Sequence, residues 1–129
     1  MGLLEKSDEN VKVAKKCLDM DAYNAGVSRA YYAVFQKVEY VLKNSKAFNY
    51  DDFLRTNAID KDHIPHGKMQ QAMAKFLLAE KKKANLNKIV IYDNLYRNRR
   101  KADYSSYMFS KPELIQCLID MEVIFGLIA

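Results

Sequence analysis

The spacing of apolar residues along the chain predicts helices. From about Leu4 to Met20, the apolar residues Leu4, Val11, Ala14 and Leu18 recur at threes, fours and sevens. Lys6, Lys12, Lys15 and Lys16 fall between them, the pattern of an amphipathic helix with one buried stripe. A second and longest helix is predicted from about Asp21 to Asn44. Its apolar residues cover most of the circumference: Ala22, Val27, Ala30, Tyr31, Val34, Val38 and Val41 on one side, Ala25, Tyr32, Phe35 and Leu42 on another. A helix apolar on several sides is packed on several sides, so this one is expected at the centre. Ser45 to Pro65 is looser and is the region expected to be most mobile, with one short helix in DDFLRTN. Met69, Met73, Phe76, Leu77 and Glu80 track one side of a helix from about Lys68 to Lys83, the methionines serving as flexible core filler. Asn85, Leu86 and Asn87 break that pattern and start a further helix, which buries Ile91, Leu95 and Ala102. SKPE at 110 to 113 is a capping box with proline in the first turn. It opens a last helix with Leu114, Cys117, Leu118, Met121, Ile124, Phe125 and Ile128 on a broad apolar face.

Composition agrees with an all-α chain. Of 129 residues half are hydrophobic, enough for one real core, and four glycines and two prolines are too few for a many-turned β fold. There are no repeats or linkers, so residues 1–129 are expected to form a single domain. The two cysteines, Cys17 and Cys117, lie in apolar helical patterns near opposite ends and are expected as buried free thiols. The first ten residues show neither the apolar run of a signal peptide nor a myristoylation pattern, and no run has the length of a membrane span. A cytoplasmic protein without membrane contact is the expectation.

Charge changes the picture more. The net charge is +5, and residues 81 to 101 alone hold eight Lys or Arg against the single acid Asp93. The remaining chain holds thirteen basic and fifteen acidic residues. A concentrated basic patch suits a phosphate-bearing partner, although Lys81 to Lys83 read more simply as a solvated helix end favoured by the helix dipole. The densest part is YRNRRKADY, Tyr96 to Tyr104, with Arg97, Arg99, Arg100 and Lys101 at its centre. Seven residues are two helical turns, so Arg97 and Tyr104 project from the same face roughly 10 Å apart, with Asp93 one turn before. An acid, a guanidinium and a phenol in one row have the groups to orient a phosphate.

Ser28 and Arg29 stand out in the central helix. Arg29 has Ala25, Gly26, Tyr32 and Ala33 as helical neighbours, which places it indoors facing another helix. It is expected either to pair with Asp93 or Asp103 or to line a phosphate site, with Gly26 and Ala25 admitting a close neighbour. His63 and His66, with Pro65 between them, make a poor metal pair because no further histidine completes a site. No metal or cofactor is expected. His66, followed by Gly67, is expected to cap or contact the helix it opens.

Taken together, SRAYYAVF at 28 to 35, His66 with Gly67, and RNRRKADY at 97 to 104 resemble the HEPN domain family in order and spacing. The resemblance covers about 80 of the 129 residues and points to the branch of small stand-alone bacterial and archaeal proteins. It implies an up-and-down bundle of four long helices plus a short fifth, a homodimer, and a minimal nucleotidyltransferase as partner in toxin-antitoxin or defence systems. Active members of the family are metal-independent endoribonucleases. Their motif R-N-x-x-x-H-x-Y matches Arg97, Asn98 and Tyr104, but Ala102 stands where the histidine belongs. A methyl group cannot move a proton, and general acid-base help accounts for about 10²- to 10⁴-fold in rate.

The resemblance therefore implies an RNA- or nucleotide-binding module with a degenerate nuclease site. In it Arg97, Asn98 and Tyr104 hold the motif positions, and Ser28, Arg29, Arg99, Arg100 and Lys101 are candidate binding residues. An active ribonuclease in which Asp103, Tyr104 or His66 replaces the histidine is the alternative, and a structural assembly protein with salt-bridged arginines is a third. His66, Asp93 and Asp103 would support the site. In relatives a tyrosine at the position of Tyr104 can be adenylylated by the partner.

Overall fold

Helix α2 (Tyr23–Asn44) is the axis of the fold, meeting every other α-helix, as expected of the segment apolar on several sides. The computed structural model describes residues 2–129. Around α2 lie α1 (Leu3–Asp19), α3 (Tyr50–Thr56), α4 (His66–Ala79), α5 (Ile89–Tyr104) and α6 (Lys111–Leu127). A 3₁₀ segment, Lys83–Lys88, leads into α5. Among the described residues five helices are long and one is short, rather than the four long and one short that the resemblance implies. Within the chain, α1 packs along α2, and α2 in turn carries α5 and α6.

The core follows the predicted stripes in α2, α4 and α6. Helix α1 instead buries Ser7, Asn10 and Cys17 with Ala14, while Leu4, Val11 and Leu18 are only half-buried. Helix α5 buries Tyr92 with Leu95, while Ile91 and Ala102 are half-buried. Val27, Val34, Val38 and Leu42 of α2 are fully buried with Met69, Met73 and Leu77 of α4, Tyr92 and Leu95 of α5, and Leu114, Met121 and Ile124 of α6. Both cysteines are free and buried. Gly26 explains how α6 comes so close to α2: a Cβ there would stand 2.7 Å from Leu114 Cδ2 and 3.0 Å from Cys17 Cβ. The looser stretch after α2 is anchored by Phe48, Tyr50, Phe53 and Leu54, all buried, and α3 is capped by Asn49, whose side chain accepts from Asp52 N at 2.9 Å. Among the described residues no helix is long and apolar enough to cross a membrane.

Three helices end by the same device, with a residue in the left-handed region and two closing hydrogen bonds. After α1, Asp21 has φ 54°, and Ala22 N donates to Cys17 O at 3.0 Å. After α3, Ala58 has φ 53°, and Ile59 N donates to Leu54 O at 2.9 Å. After α4, Lys81 has φ 59°, and Lys82 N donates to Leu77 O at 2.7 Å. This last turn ends α4 at Ala79, before the expected Lys83, and the same geometry at Asp21 delays α2 to Tyr23. The capping box at Ser110 forms as predicted, with Ser110 Oγ accepting from Glu113 N and the Glu113 side chain accepting from Ser110 N.

Candidate functional site

Only Tyr92 and Leu95 of α5 are buried, so this helix is pinned near its start, and in its second half Arg97, Arg100, Lys101 and Tyr104 are exposed. The charged residues on it sort into three groups according to what each one touches.

The first group is built on Asp93. His66 Nε2 lies 3.0 Å from Asp93 Oδ1, and Arg97 Nε lies 2.8 Å from Asp93 Oδ2. A carboxylate only accepts, so the imidazole proton sits on Nε2. The ring stacks on Tyr96 with centroids 3.8 Å apart at 8°, and Tyr92 lies behind it at 5.1 Å. Burial pushes the His66 pKa down, and the neighbouring Asp93 only partly offsets this. Its Nδ1 is buried and without a partner. His66 is thus the first residue of α4, as its place before Gly67 suggested, but it contacts α5 rather than capping its own helix.

The second group surrounds Arg99, which is only 14% exposed. Its Nε stands 3.1 Å from Asp103 Oδ2, an ion pair one turn apart, and Ser28 Oγ donates to the same oxygen at 3.1 Å. One terminal nitrogen donates to the Tyr32 hydroxyl and lies 3.4 Å from that of Tyr104. The guanidinium lies over the rings of Tyr32 and Tyr104, at 5.1 and 5.2 Å from their centroids.

The third group consists of cations resting on rings. The Arg100 guanidinium is 6.0 Å from the Tyr96 centroid and 5.2 Å from that of Tyr104, and Lys101 Nζ is 3.9 Å from that of Tyr107. Neither has a carboxylate within ion-pair distance among the described residues. Tyr107 in turn donates to Glu113 Oε2 at 2.5 Å, which ties this end of α5 to the cap of α6. Asn24 of α2 fastens the connection between them: its Nδ2 donates to Tyr107 O at 2.9 Å and its Oδ1 accepts from Phe109 N at 2.8 Å.

Several candidates stand elsewhere than expected. Arg29 is not indoors. It is exposed and donates to Asn10 Oδ1 of α1 at 3.0 Å, while Asp93 and Asp103, its expected mates, are engaged by His66, Arg97, Arg99 and Ser28. Of the small residues beside it, Gly26 serves the approach of α6 instead, and Ala25 is exposed. Asn98 turns to α6, its Nδ2 lying 3.7 Å from Cys117 Sγ. Tyr104, 67% exposed, meets Arg99 and Arg100, so the row divides, with Asp93 and Arg97 in one group and Tyr104 in another. Ala102 is half-buried, and its carbonyl accepts from Asn24 Nδ2 at 3.3 Å.

Sequence reasoning passed over Tyr32, Tyr96 and Asn24 as members of the site. The signal for Tyr96 was present: Tyr96, Arg100 and Tyr104 are spaced four apart, so they share a helix face. Tyr31, Tyr32 and Phe35 of α2, Ile64 and Pro65 of the connecting loop, His66, Tyr96 and Arg99 enclose a cleft of about 280 Å³. Chemically the site offers unpaired cations on aromatic supports beside a cleft walled by rings. Proton transfer is less well served, because His66 Nε2 is committed to Asp93 and Nδ1 has no exposed surface. Comparison of the chain with protein-family models, with curated proteins and with solved structures gives no match.

Proposed function

We propose that the chain is an HEPN-like module that binds RNA or a nucleotide through the second half of α5. It carries a degenerate ribonuclease site and acts as a homodimer with a nucleotidyltransferase partner in toxin-antitoxin or defence control. The observation that carries the binding reading is that Arg100 and Lys101 lack acidic partners and lie on tyrosine rings. Cations held in this way stay available to phosphates, and neighbouring rings favour unpaired bases. Tyr104, exposed and beside Arg99, is the residue such a partner would adenylylate. Mass spectrometry after co-expression that finds it unmodified would remove that role.

A second reading has support from a specific observation. Arg97 and Arg99 each have an acid one turn away, which favours a structural role for those two. The Arg97 side chain is nonetheless 77% exposed, so its guanidinium stays within reach of an incoming phosphate while Asp93, 21% exposed, keeps His66.

The test is incubation with labelled single-stranded RNA in EDTA, alongside Arg97→Ala and the double variant Arg100→Ala/Lys101→Ala. Binding that weakens steeply between about 50 and 200 mM salt is expected, with a shallower slope in the double variant. Affinity indifferent to salt would take the basic row out of the mechanism. Cleavage abolished by Arg97→Ala would replace the degenerate site by an active one.

A further inference from the structure

We propose that the cleft between α2 and α5 seats a single unstacked nucleobase of a single-stranded RNA, with that strand's phosphates on Arg100 and Lys101. This deepens the binding reading above and rests on it. Three observations carry it.

The first is the chemistry of the walls. The cleft is lined by Tyr31, Tyr32 and Phe35 of α2, His66 of α4, and Tyr96 and Arg99 of α5. Tyr31 is buried and Tyr96 stacks on His66, so the half-buried Tyr32 and Phe35 are the rings most open to a base. Flat rings and a guanidinium are the surfaces on which every base can stack, whatever its hydrogen-bonding edge. The polar groups among them, the Tyr32 hydroxyl and the Arg99 guanidinium, bond to each other and keep further donor capacity for a base edge or a ribose.

The second is size. At about 280 Å³ the cleft lies just below the ~300–1,000 Å³ of pockets that enclose whole drug-sized ligands. One ring system fits such a space, but a base pair does not, and a base inside a duplex cannot leave its stack to enter without unpairing. Single strands, whose bases are already splayed, are therefore the occupants.

The third is continuity. Tyr96 is both a wall of the cleft and one of the rings beneath Arg100, and Tyr104 lies under both Arg99 and Arg100. The base seat and Arg100 thus share a side chain, and Lys101, the next residue, rests on Tyr107 outside the cleft.

The experiment compares a short labelled oligoadenylate with a ribose-phosphate chain of equal length that lacks bases, by fluorescence anisotropy at low salt. The wild-type chain is expected to bind the base-bearing strand about tenfold more tightly. In Phe35→Ser, and independently in Tyr32→Leu, the gap falls below about twofold, with circular dichroism confirming that each variant is folded. Equal affinity of the wild type for the two strands overturns the base seat while leaving the cationic row intact. If neither strand binds, the row reading falls. Titration with adenosine 5′-monophosphate, followed by the His66 and Tyr96 resonances, then decides the cleft separately: shifts keep the seat, and their absence overturns it.

Discussion

At the scale of single residues, His66 balances two opposed demands. Burial disfavours its charged form and Asp93 favours it, and burial wins, so its folded pKa lies below the ordinary 6.5. The sign follows: between the lowered value and about 6.5 the unfolded chain binds more protons than the folded one, and stability rises with pH through that window. Thermal melts are therefore expected to shift downward as pH falls below about 6.5. His66→Gln keeps a donor for Asp93 without titrating, and should flatten that part of the curve. Identical pH curves for the two chains would show that His66 is not the group responsible. A second residue is quiet for the same reason: burial pushes the Cys117 thiol up to about 11, so it remains protonated and unreactive near neutral pH. His66 was legible beforehand as a helix start, from its place before Gly67. Arg29 was misread because one helix's own neighbours do not reveal which other helix covers them. The helix facing that position is α1, whose Asn10 accepts from Arg29.

At the scale of elements, what was local in the sequence was legible. Ser110 and Glu113 carry both halves of their cap within four residues. The ends of α1, α3 and α4 were not legible, because the usual sign of a left-handed closing residue is glycine, and here Asp21, Ala58 and Lys81 take that place. An L-residue in this conformation costs roughly 1–2 kcal/mol, part of which glycine recovers and part of which it returns to the more flexible unfolded chain. Lys81→Gly is thus expected to raise stability by up to about 1 kcal/mol in denaturant titration, and a loss of stability would refute that account of the α4 terminus. The glycine that the packing does require is inside α2. Gly26→Ala places a methyl group against Leu114, whose side chain can shift, and against the Cys17 Cβ, which is fixed to its backbone. Overpacking of this kind costs about 1–3 kcal/mol, more than the gain in helix propensity of about 1 kcal/mol. A Gly26→Ala chain as stable as the wild type would mean that α6 moves freely over α2.

At the scale of the molecule, the all-helical class and the central place of α2 followed from periodicity, since burial acts on every turn of a long helix. The site followed less well. Periodicity places Arg97 and Tyr104 on one face, yet Arg97 turns to Asp93 of its own helix and only Arg99 reaches across to α2, at Tyr32, which is a tertiary fact. One apolar surface remains uncovered: Leu18 of α1 with Ile115, Leu118, Ile119 and Val123 of α6 line a groove bordered by Lys15 and Glu122. A twofold pairing of copies, as proposed, would cover it with a rim carrying both signs of charge. Sedimentation at micromolar concentration is expected to show twice the monomer mass, and Ile119→Glu to return the monomer; a wild-type chain that sediments only as monomer would count against the dimer.

Because α5 is buried only at Tyr92 and Leu95, the backbone beyond them is protected by side-chain fastenings rather than by a core. Amide exchange along this helix should therefore run as a gradient, slow near Leu95 and fast toward Tyr104, as the terminal turns open without the rest of the bundle. A strand lying on Arg100 and Lys101 would close those turns. Its binding would register in the protein as slower opening at one helix end while the core keeps its pace.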